Sequence, residues 1–334
     1  MSVVDSPASG SGVGSAPDRM DRPADGHAAG PRASVQVLGW VVVLVAALAS
    51  AVGAFSAGGP GRHEVVGLHG ATVTLYGQGL FAHDTLLIGA GNRGQDAVVL
   101  FLEVPLLAAV LLLSRRGGLR SRLMLAGTLG FFAYYYASMC FATAYNRLFT
   151  AYVVLLGASV FAFVLAVAGL DAQDVADAFP SRPSRRVIAG YLLTVAALLT
   201  AVWLPAMLGA LISGDPPALV NTYTAETTWA LDLGLIVPVV VCAAVLLLRG
   251  RPLGYLLAVL VIVLNLTIGL VLISQGVAQI VVQVLSAGEV AGMVVTFAVL
   301  TVVAGGLLAA LLHNWLPEGD ARAAAAAGPG LPAT

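Results

Sequence analysis

The chain alternates between long apolar runs and shorter polar connections. Eight runs are each about twenty residues long, the length that an α-helix needs to cross the hydrocarbon core of a bilayer. Their apolar residues are continuous rather than alternating, which excludes the strands of a barrel. The pattern therefore predicts an all-α polytopic transmembrane helical bundle. The predicted spans are residues 35–55, 97–114, 123–142, 148–170, 187–211, 230–248, 253–274 and 290–312.

The longest connection, residues 56–96, follows the first span. Residues 64–77 are rich in β-branched side chains and punctuated by glycine, which predicts a small β-hairpin. Residues 84–94 then predict a short helix and a glycine-rich turn before the second span. Later in the chain, 171–179 predicts a short amphipathic helix and 275–289 a helix lying in the membrane interface.

The arginines predict the orientation. All sixteen basic residues are arginines, and only Arg62, Arg93 and Arg147 fall on the side of the hairpin. The other thirteen lie on the opposite side, which the positive-inside rule assigns to the cytoplasm. Both termini are therefore expected in the cytoplasm and the hairpin outside. Arginine in place of lysine, with heavy use of Ala, Val, Leu and Gly, indicates a GC-rich bacterial genome and hence a bacterial cytoplasmic membrane.

Composition excludes several functions. The chain is 59% hydrophobic and only 10% charged, against roughly a quarter in a soluble domain. The lack of lysine excludes Schiff-base and P-loop chemistry. No basic patch points to nucleic acid, and the spacing of His63, His69 and His83 fits no metal pattern. We expect no cofactor and no metal, and Cys140 and Cys242 are interpreted as small apolar core residues.

Two segments of the chain resemble each other. Residues 96–119 and 232–254 each begin with an aspartate and continue with a proline, an Ala/Leu run, arginine and glycine. The spacing from aspartate to proline is nine residues in one segment and six in the other, a difference of about one helical turn. These shared features favour a parallel duplication of a four-helix half. The alternative is that apolar helices resemble one another by composition alone.

The duplication sets the predicted domain boundaries. The first half is residues 34–170, including the outer loop 56–96, and the second half is 187–312, joined by a cytoplasmic linker at 171–186. The ends of the chain are rich in small and polar residues and are predicted to be disordered cytoplasmic tails. These tails are residues 1–33 and 313–334.

Arg93, Asp96 and Glu103 form the main candidate site. Arg93 and Asp96 are three residues apart, a spacing that permits an ion pair in a helix. Asp96 and Glu103 are seven apart, two α-helical turns along one face. A carboxylate in a span has to pair, become neutral or face water, and Arg147 and Asp84 are candidates to join the group. The alternative is a structural ion-pair network that fastens the outer loop.

The second half repeats this pattern with Glu226 and Asp232. If the halves are duplicates, the two groups are expected to converge where the halves meet. Tyr135, in a run of three tyrosines inside span three, is a secondary candidate to hydrogen-bond a carboxylate. Asn265 in span seven is interpreted as an interhelical hydrogen bond rather than a ligand.

The sequence GAGNRG at 89–94 matches the G-x-G-x-x-G pattern of dinucleotide-binding folds. Such a fold needs a βαβ unit, and here a membrane span follows, so the dinucleotide interpretation is rejected. The glycines are interpreted as the turn that caps span two. A second glycine pattern, G-x-x-x-G at 288–292, indicates close packing by span eight.

Residues 76–96 (YGQGLFAHDTLLIGAGNRGQD) and 229–258 (WALDLGLIVPVVVCAAVLLLRGRPLGYLLA) carry a resemblance to a group of multi-pass bacterial membrane proteins. The resemblance implies a helical membrane fold and brings no activity or site residue. The sequence hypothesis is therefore a transporter or solute-binding protein, whose partners are the lipid bilayer and a small polar solute or ion. The alternatives are a membrane enzyme acting on a lipid-linked or extracytoplasmic substrate, and a non-catalytic assembly partner or sensor.

Overall fold

Eight helices of the described chain are long and apolar enough to cross a membrane, so the chain has the character of a multi-pass membrane protein. The structure is a computed structural model that describes residues 29–179, 184–217, 219–220, 222–284 and 286–313. The mean hydropathy of the most apolar window in each span lies between 1.2 and 3.0. Large apolar side chains such as Leu44, Phe161 and Val302 point outward, as expected for surfaces that contact lipid.

The first four spans include the hairpin and one interrupted helix. Their elements are α1 (Ala29–Phe55), β1 (His63–Val66), β2 (Thr72–Leu75), a 3₁₀ turn (Gly79–Phe81), α2 (Leu86–Val98), a π-helical turn (Val99–Glu103), α3 (Val104–Ser114), α4 (Leu119–Phe141) and α5 (Phe149–Ala168). Span two is formed by α2, the π-turn and α3 together. The two strands pair antiparallel, with His63 opposite Leu75 and Val66 opposite Thr72.

The remaining chain repeats the pattern of an interrupted second helix. Its elements are α6 (Ala172–Asp177), α7 (Arg185–Ser213), α8 (Thr227–Leu231), a second π-turn (Asp232–Ile236), α9 (Val237–Leu248), α10 (Pro252–Val281) and α11 (Ala287–His313). Span six is formed by α8, the second π-turn and α9. Spans five, seven and eight are α7, α10 and α11.

The two π-turns occupy the same position relative to a proline. Pro105 and Pro238 each lie two residues after the end of a π-turn. A proline has no N–H to donate to the preceding turn and its ring crowds that turn, so the helix widens just before it. Single π-turns inside α-helices are frequent at functional sites. Spans two and six are therefore the two spans of the described chain interrupted in this way.

The buried apolar residues form two cores. One core lies among spans one to four and extends under the loop of residues 76–81. The other lies among α6 and spans five to eight, and it also includes Leu123 and Ala126 of α4. Helix α10 packs against α2 and α4 of the first group and against α9 and α11 of the second. It therefore holds the two groups of spans together.

Contacts between loops define two ends of the bundle. On the side of the hairpin, Arg62 hydrogen-bonds the carbonyl of Val282, and Thr227 Oγ1 donates to the carbonyl of Phe141 (2.9 Å). We call this the hairpin side. On the other side, here called the arginine side, Gln36 donates to Ser114 Oγ (2.9 Å) and accepts from Arg115 (3.2 Å).

Several boundaries differ from the sequence prediction. Helix α1 begins at Ala29, so residues 29–33 are helical rather than disordered. Helix α2 begins at Leu86, with Thr85 as its N-cap, so the predicted glycine-rich turn is helix and the loop after span one is shorter than 56–96. Helix α10 continues to Val281, so its last two turns extend the span where an interfacial helix was predicted. The tails at 1–28 and 314–334 and the linker at 180–183 lie outside the described residues.

Candidate functional site

Asp96 lies three turns into span two and is almost fully buried, with 2% of its surface exposed. Its Oδ1 accepts a hydrogen bond from the Tyr135 hydroxyl of α4 (2.9 Å). Its Oδ2 is directed at α1, where a Cβ added to Gly53 would lie only 1.7 Å away. That oxygen has no hydrogen-bond partner among the described residues. The sequence prediction that Tyr135 reaches a carboxylate therefore agrees with the structure.

Three further buried polar groups surround Asp96. Ser50 of α1 adjoins both Asp96 and Tyr136. The ring of Tyr136 stacks on that of Tyr152 of α5, with centroids 6.2 Å apart. None of the three hydroxyl oxygens makes a hydrogen bond of regular geometry in the described part of the chain, although Ser50 lies within hydrogen-bonding reach of Asp96 and Tyr136, and Tyr152 within that of Asn146. Buried polar groups are normally paired, so this concentration of unpaired oxygens marks a site. We call Ser50, Asp96, Tyr136 and Tyr152 the Asp96 cluster.

Glu103 is the last residue of the first π-turn and is completely buried. Neither carboxyl oxygen has a hydrogen-bond partner among the described residues. The predicted spacing of two α-helical turns from Asp96 does not hold, because the π-turn between the two residues changes the helical phase. Both carboxyls nevertheless face the protein interior, where an uncompensated charge is costly.

Asp232 begins the second π-turn and is also buried, with 6% of its surface exposed. Tyr134 of α4 donates to Oδ1 (2.6 Å), and Trp203 of α7 donates through Nε1 to Oδ2 (2.8 Å). The neighbours Tyr134 and Tyr135 thus bind the aspartates of spans six and two respectively. Span three therefore joins the two aspartates through adjacent residues of one helix.

The structure places both candidate arginines away from these carboxylates. Arg93 donates through Nε to the carbonyl of Ala54 at the end of α1 (3.0 Å) and through Nη1 to the Tyr76 hydroxyl (3.5 Å). It anchors the hairpin-side end of α1, and the expected ion pair with Asp96 is absent from the described structure. Arg147 is exposed in the turn between α4 and α5. The hydrogen bonds of Asp96 and Asp232 come from Tyr and Trp side chains.

Asp84 ties three connections together on the hairpin side. Its Oδ1 accepts from the Ala144 N–H (2.7 Å) and from the Tyr223 hydroxyl (2.8 Å), while Tyr223 also accepts from the Thr85 N–H (3.2 Å). Burial raises the pKa of Asp84 to about 6, although both hydrogen bonds act in the opposite direction. Burial and the adjacent carboxylate raise the pKa of Tyr223 well above its usual range.

The remaining two candidates are less closely involved. Glu226 is half-buried immediately before α8, and burial raises its pKa to about 7. Asn265 lies beside Tyr191 in the second half. The Asn265 amide nitrogen is buried without a hydrogen-bond partner in the described chain. The structure therefore brings neither residue into the Asp96 cluster.

The G-x-G-x-x-G segment is a helix-packing surface. A Cβ at Gly94 would lie 2.6 Å from the Ala278 Cβ and 2.6 Å from the Ser274 carbonyl oxygen. Ser274 in turn donates to the carbonyl of Gly94 (2.7 Å). The glycines therefore let α2 and α10 approach closely, and the interpretation as a capping turn is wrong. The second glycine pattern makes no such approach, because Gly292 has open space around it.

Sequence reasoning missed several polar side chains of this region. Trp203 and Ser50 are single polar groups in long apolar runs and carry no spacing pattern. Gln95 donates to Gln275 of α10, and Gln279 donates to the carbonyl of Leu87 (3.1 Å). A signal for these glutamines was present, because Gln275 and Gln279 are four residues apart and share one face of a helix. It was assigned to an interfacial segment instead of the extended span seven.

A groove of about 640 Å³ lies between α7 and α9. Its lining is apolar apart from Thr200, whose hydroxyl donates to the carbonyl of Ala196 in its own helix (2.8 Å). Such a surface suits an acyl chain and offers no reacting group. The lining residues are Leu193, Ala196, Ala197, Thr200, Ala201, Leu204, Pro205, Leu208, Val237 and Val241.

Among the residues that the structure describes, no group of three or more His, Cys, Asp or Glu side chains is arranged to hold a metal ion. Comparison of the chain with protein-family models, with curated proteins and with solved structures found no match in any of the three. The geometry of the described residues is therefore the basis for assigning a function.

Proposed function

We propose that the protein is a membrane transporter whose binding site is built on the buried aspartates of spans two and six. The observation that carries the proposal is the arrangement of Asp96 and Asp232. Each lies at or near a π-turn that precedes a proline, and each is held by a tyrosine of the same helix, α4. Ionisable groups inside spans are costly and commonly mark ion or substrate pathways.

The chemistry of the site favours a cation or a polar solute with a positive group. The hydrogen bonds to Asp96 and Asp232 come from neutral Tyr and Trp donors. A carboxylate held in this way keeps its negative charge uncompensated. A bound positive charge would lower the free energy of the buried site, whereas an anion would be repelled.

We further propose that the two halves arose by parallel duplication. When Pro105 is aligned with Pro238, the π-turn at 99–103 aligns with the π-turn at 232–236. The two cores support the same division, because one lies mainly among spans one to four and the other mainly among spans five to eight. In this alignment Asp96 matches Trp229 rather than Asp232, so the two halves hold their aspartates at different depths. Transporters commonly bind substrate between such repeats.

The proposed setting is a bacterial cytoplasmic membrane with both termini in the cytoplasm. The support is the distribution of arginines. Eight of them in the described chain, Arg115, Arg116, Arg120, Arg122, Arg185, Arg186, Arg249 and Arg251, lie in or beside the connections of the arginine side. The hairpin and the loops that meet at Asp84 would then face the exterior.

The proposal is tested by cation flux in proteoliposomes. Proton flux, read with an internal pH dye, and uptake of radioactive sodium are measured under an imposed voltage. Each is measured with and without an external mixture of amino acids, sugars and small organic acids. We expect flux above that of empty liposomes, and Asp96→Asn and Asp232→Asn are expected to reduce it to the empty-liposome level.

Glu64→Gln is the matched control, because Glu64 is an exposed carboxylate of the hairpin. It is expected to keep the wild-type flux. Wild-type protein that is folded and gives no flux above empty liposomes under any of these conditions contradicts the proposed function. Equal flux in Asp96→Asn and the wild type would remove Asp96 from the site.

A further inference from the structure

We propose that the Asp96 cluster is an occluded site for a desolvated monovalent cation, either Na⁺ or a proton carried as hydronium. The inference names the ligand class of one half of the proposed transporter and so rests on that function. It concerns four buried oxygens from four helices, α1, α2, α4 and α5: Ser50 Oγ, Asp96 Oδ2, Tyr136 Oη and Tyr152 Oη.

Burial and missing partners are the first argument. Ser50, Asp96, Tyr136 and Tyr152 each expose 2% or less of their surface. None of the four oxygens makes a hydrogen bond of regular geometry among the described residues, although Ser50 lies within hydrogen-bonding reach of Asp96 and Tyr136, and Tyr152 within that of Asn146. Buried polar atoms without well-formed hydrogen bonds are costly, and four of them in one place would be stabilised by a bound cation.

The four oxygens also have the chemistry of a cation ligand set. One carboxylate oxygen and three hydroxyl oxygens form an oxygen-only group with a single negative charge, which suits a hard cation of charge +1. A divalent cation would leave one charge uncompensated in a buried site. Arg93, the cation nearest to Asp96 along its own helix, is already hydrogen-bonded to the carbonyl of Ala54 and to Tyr76.

The surrounding helices add no competing charge in the membrane. The titratable groups of α4 inside the bundle are Tyr134, Tyr135, Tyr136 and Cys140, and α5 contributes Tyr152. Helix α1 has only Arg32, at its arginine-side end, and α10 has only Tyr255, near the same side. Asp96 is therefore the group in this cluster whose charge a cation would balance.

Gly53 makes room for the Asp96 carboxylate, and Tyr152 connects the site to the hairpin side. Because Gly53 lacks a side chain, Asp96 Oδ2 can lie against α1 one turn from Ser50. At the other edge of the cluster, Tyr152 adjoins Asn146 in the turn between α4 and α5. It also lies within electrostatic range of Asp84. Entry of the cation is therefore from the hairpin side.

The experiment measures cation binding without transport. The thermal unfolding midpoint of the full-length protein in detergent is followed as NaCl replaces choline chloride at constant ionic strength, at pH 6 and at pH 8. A ligand that binds only the folded protein raises this midpoint. For a Na⁺ site we expect a saturable increase at pH 8 that is weaker at pH 6, because protons compete for Asp96. For a proton site we expect no response to Na⁺ and a higher midpoint at pH 6 that is partly lost in Asp96→Asn, because Asp84 and Glu226 favour the lower pH in both proteins.

Variants identify the site. Asp96→Asn is expected to abolish the response to Na⁺ or, for a proton site, to reduce the difference between the midpoints at pH 6 and pH 8. Ser50→Ala and Tyr152→Phe are expected to raise the half-saturating concentration about tenfold each, the effect of losing one contact to a charge. Gly53→Ala is expected to abolish the response by occupying the space at Asp96 Oδ2. Tyr191→Phe is the matched control, because it removes a hydroxyl that bonds the carbonyl of Leu300 in the second half.

The outcomes separate this inference from the proposed transport. A Na⁺ response that survives in Asp96→Asn, or a wild type that does not respond to Na⁺ and has the same pH dependence as Asp96→Asn, overturns the cation site. A cluster that holds only water would give that result. Cation binding without flux in proteoliposomes keeps the site and contradicts transport. Flux without a cation response that depends on Asp96 keeps transport and contradicts the site.

Discussion

At the scale of single residues, the buried carboxylates differ in what offsets their charge. Asp232 receives two hydrogen bonds, Asp96 receives one, and Glu103 receives none in the described structure. Hydrogen bonds to a charged group are worth about 1.5–3 kcal/mol each. The series therefore predicts that ionisation becomes more costly from Asp232 to Asp96 to Glu103. Asp84, outside the spans, shows the same competition between burial and hydrogen bonding.

The first prediction concerns Asp84 and pH. Its folded pKa of about 6 lies above the unfolded value of about 3.9. The folded protein therefore holds the proton more tightly than the unfolded chain does. This contribution to stability is fully present below about pH 4 and is lost as the pH rises through about 6. Asp84→Asn stays neutral and keeps the acceptor oxygen for Ala144 and Tyr223. At pH 8 it is expected to be more stable than the wild type by about 1–3 kcal/mol.

The measurement is the thermal unfolding midpoint of both proteins from pH 5 to pH 8. Comparison with Asp84→Asn isolates the contribution of Asp84 from that of Glu226, whose pKa is also raised. The difference between the two proteins should shrink toward pH 5. A variant that is less stable than the wild type at pH 8 would show that the hydrogen bonds from Ala144 and Tyr223 outweigh burial.

At the scale of elements, spans two and six are held differently although both contain a π-turn. Span two packs closely on α10 through its glycines, and Gln95 and Gln279 add polar contacts between the same two helices. Span six packs on α7 and α10, with Trp203 of α7 bonded to Asp232. The contacts between span two and α10 lie in the half of span two nearer the hairpin side. They therefore restrict movement of span two relative to α10 more strongly there than near the arginine side.

The second prediction tests that helix crossing. In Gly94→Ala the new Cβ would meet the backbone carbonyl of Ser274, which has little freedom to move. We expect a loss of about 1–3 kcal/mol of stability, the usual cost of overpacking. Gly157→Ala in α5 is the matched control, because its Cβ would have open space. That variant is expected to be neutral or more stable by up to about 1 kcal/mol. Equal unfolding midpoints for the two variants would contradict the close crossing.

The sequence predicted the elements better than it predicted their contacts. The apolar runs were sufficient for the eight candidate spans, because hydropathy depends on local composition. The short helix predicted within 84–94 is present, but its glycines were wrongly assigned to a turn because glycine usually ends a helix. The close packing of Gly94 against α10 accounts for glycine at this point in the helix. The π-turns were also not predicted. A proline indicates a bend, but the widened turn depends on the packing of the whole span.

The carboxylates of the candidate site could be predicted from the sequence, but most of their partners could not. Asp96 and Glu103 were recognisable because a carboxylate in an apolar run is unusual. Their partners were harder to identify, because a hydrogen bond between spans has no fixed separation in the sequence. Tyr134 and Asp232 are 98 residues apart and Trp203 and Asp232 are 29 apart. Arg93 was expected to bind Asp96 from local spacing, and a backbone carbonyl of α1 competes for it successfully.

At the scale of the whole molecule, polarity is distributed unequally between the two ends. The hairpin side carries buried carboxyl groups and hydrogen-bonded loops, and the arginine side carries most of the cations. This unequal distribution of arginines is expected for a protein inserted into a membrane, because positively charged connections tend to be retained in the cytoplasm. In the proposed orientation, the proposed entry to Asp96 would face the exterior.

The last prediction tests this orientation by cysteine labelling in intact cells of a bacterial host. The background is a variant in which Cys140 and Cys242 are both replaced by alanine, since Cys242 is exposed. Leu68→Cys places a thiol in the hairpin turn, where the native side chain is 63% exposed. Arg116→Cys places one in the exposed connection between spans two and three. A membrane-impermeant maleimide is expected to label the first position in intact cells and the second only after permeabilisation. The opposite pattern would reverse the orientation and place the entry to Asp96 on the cytoplasmic side.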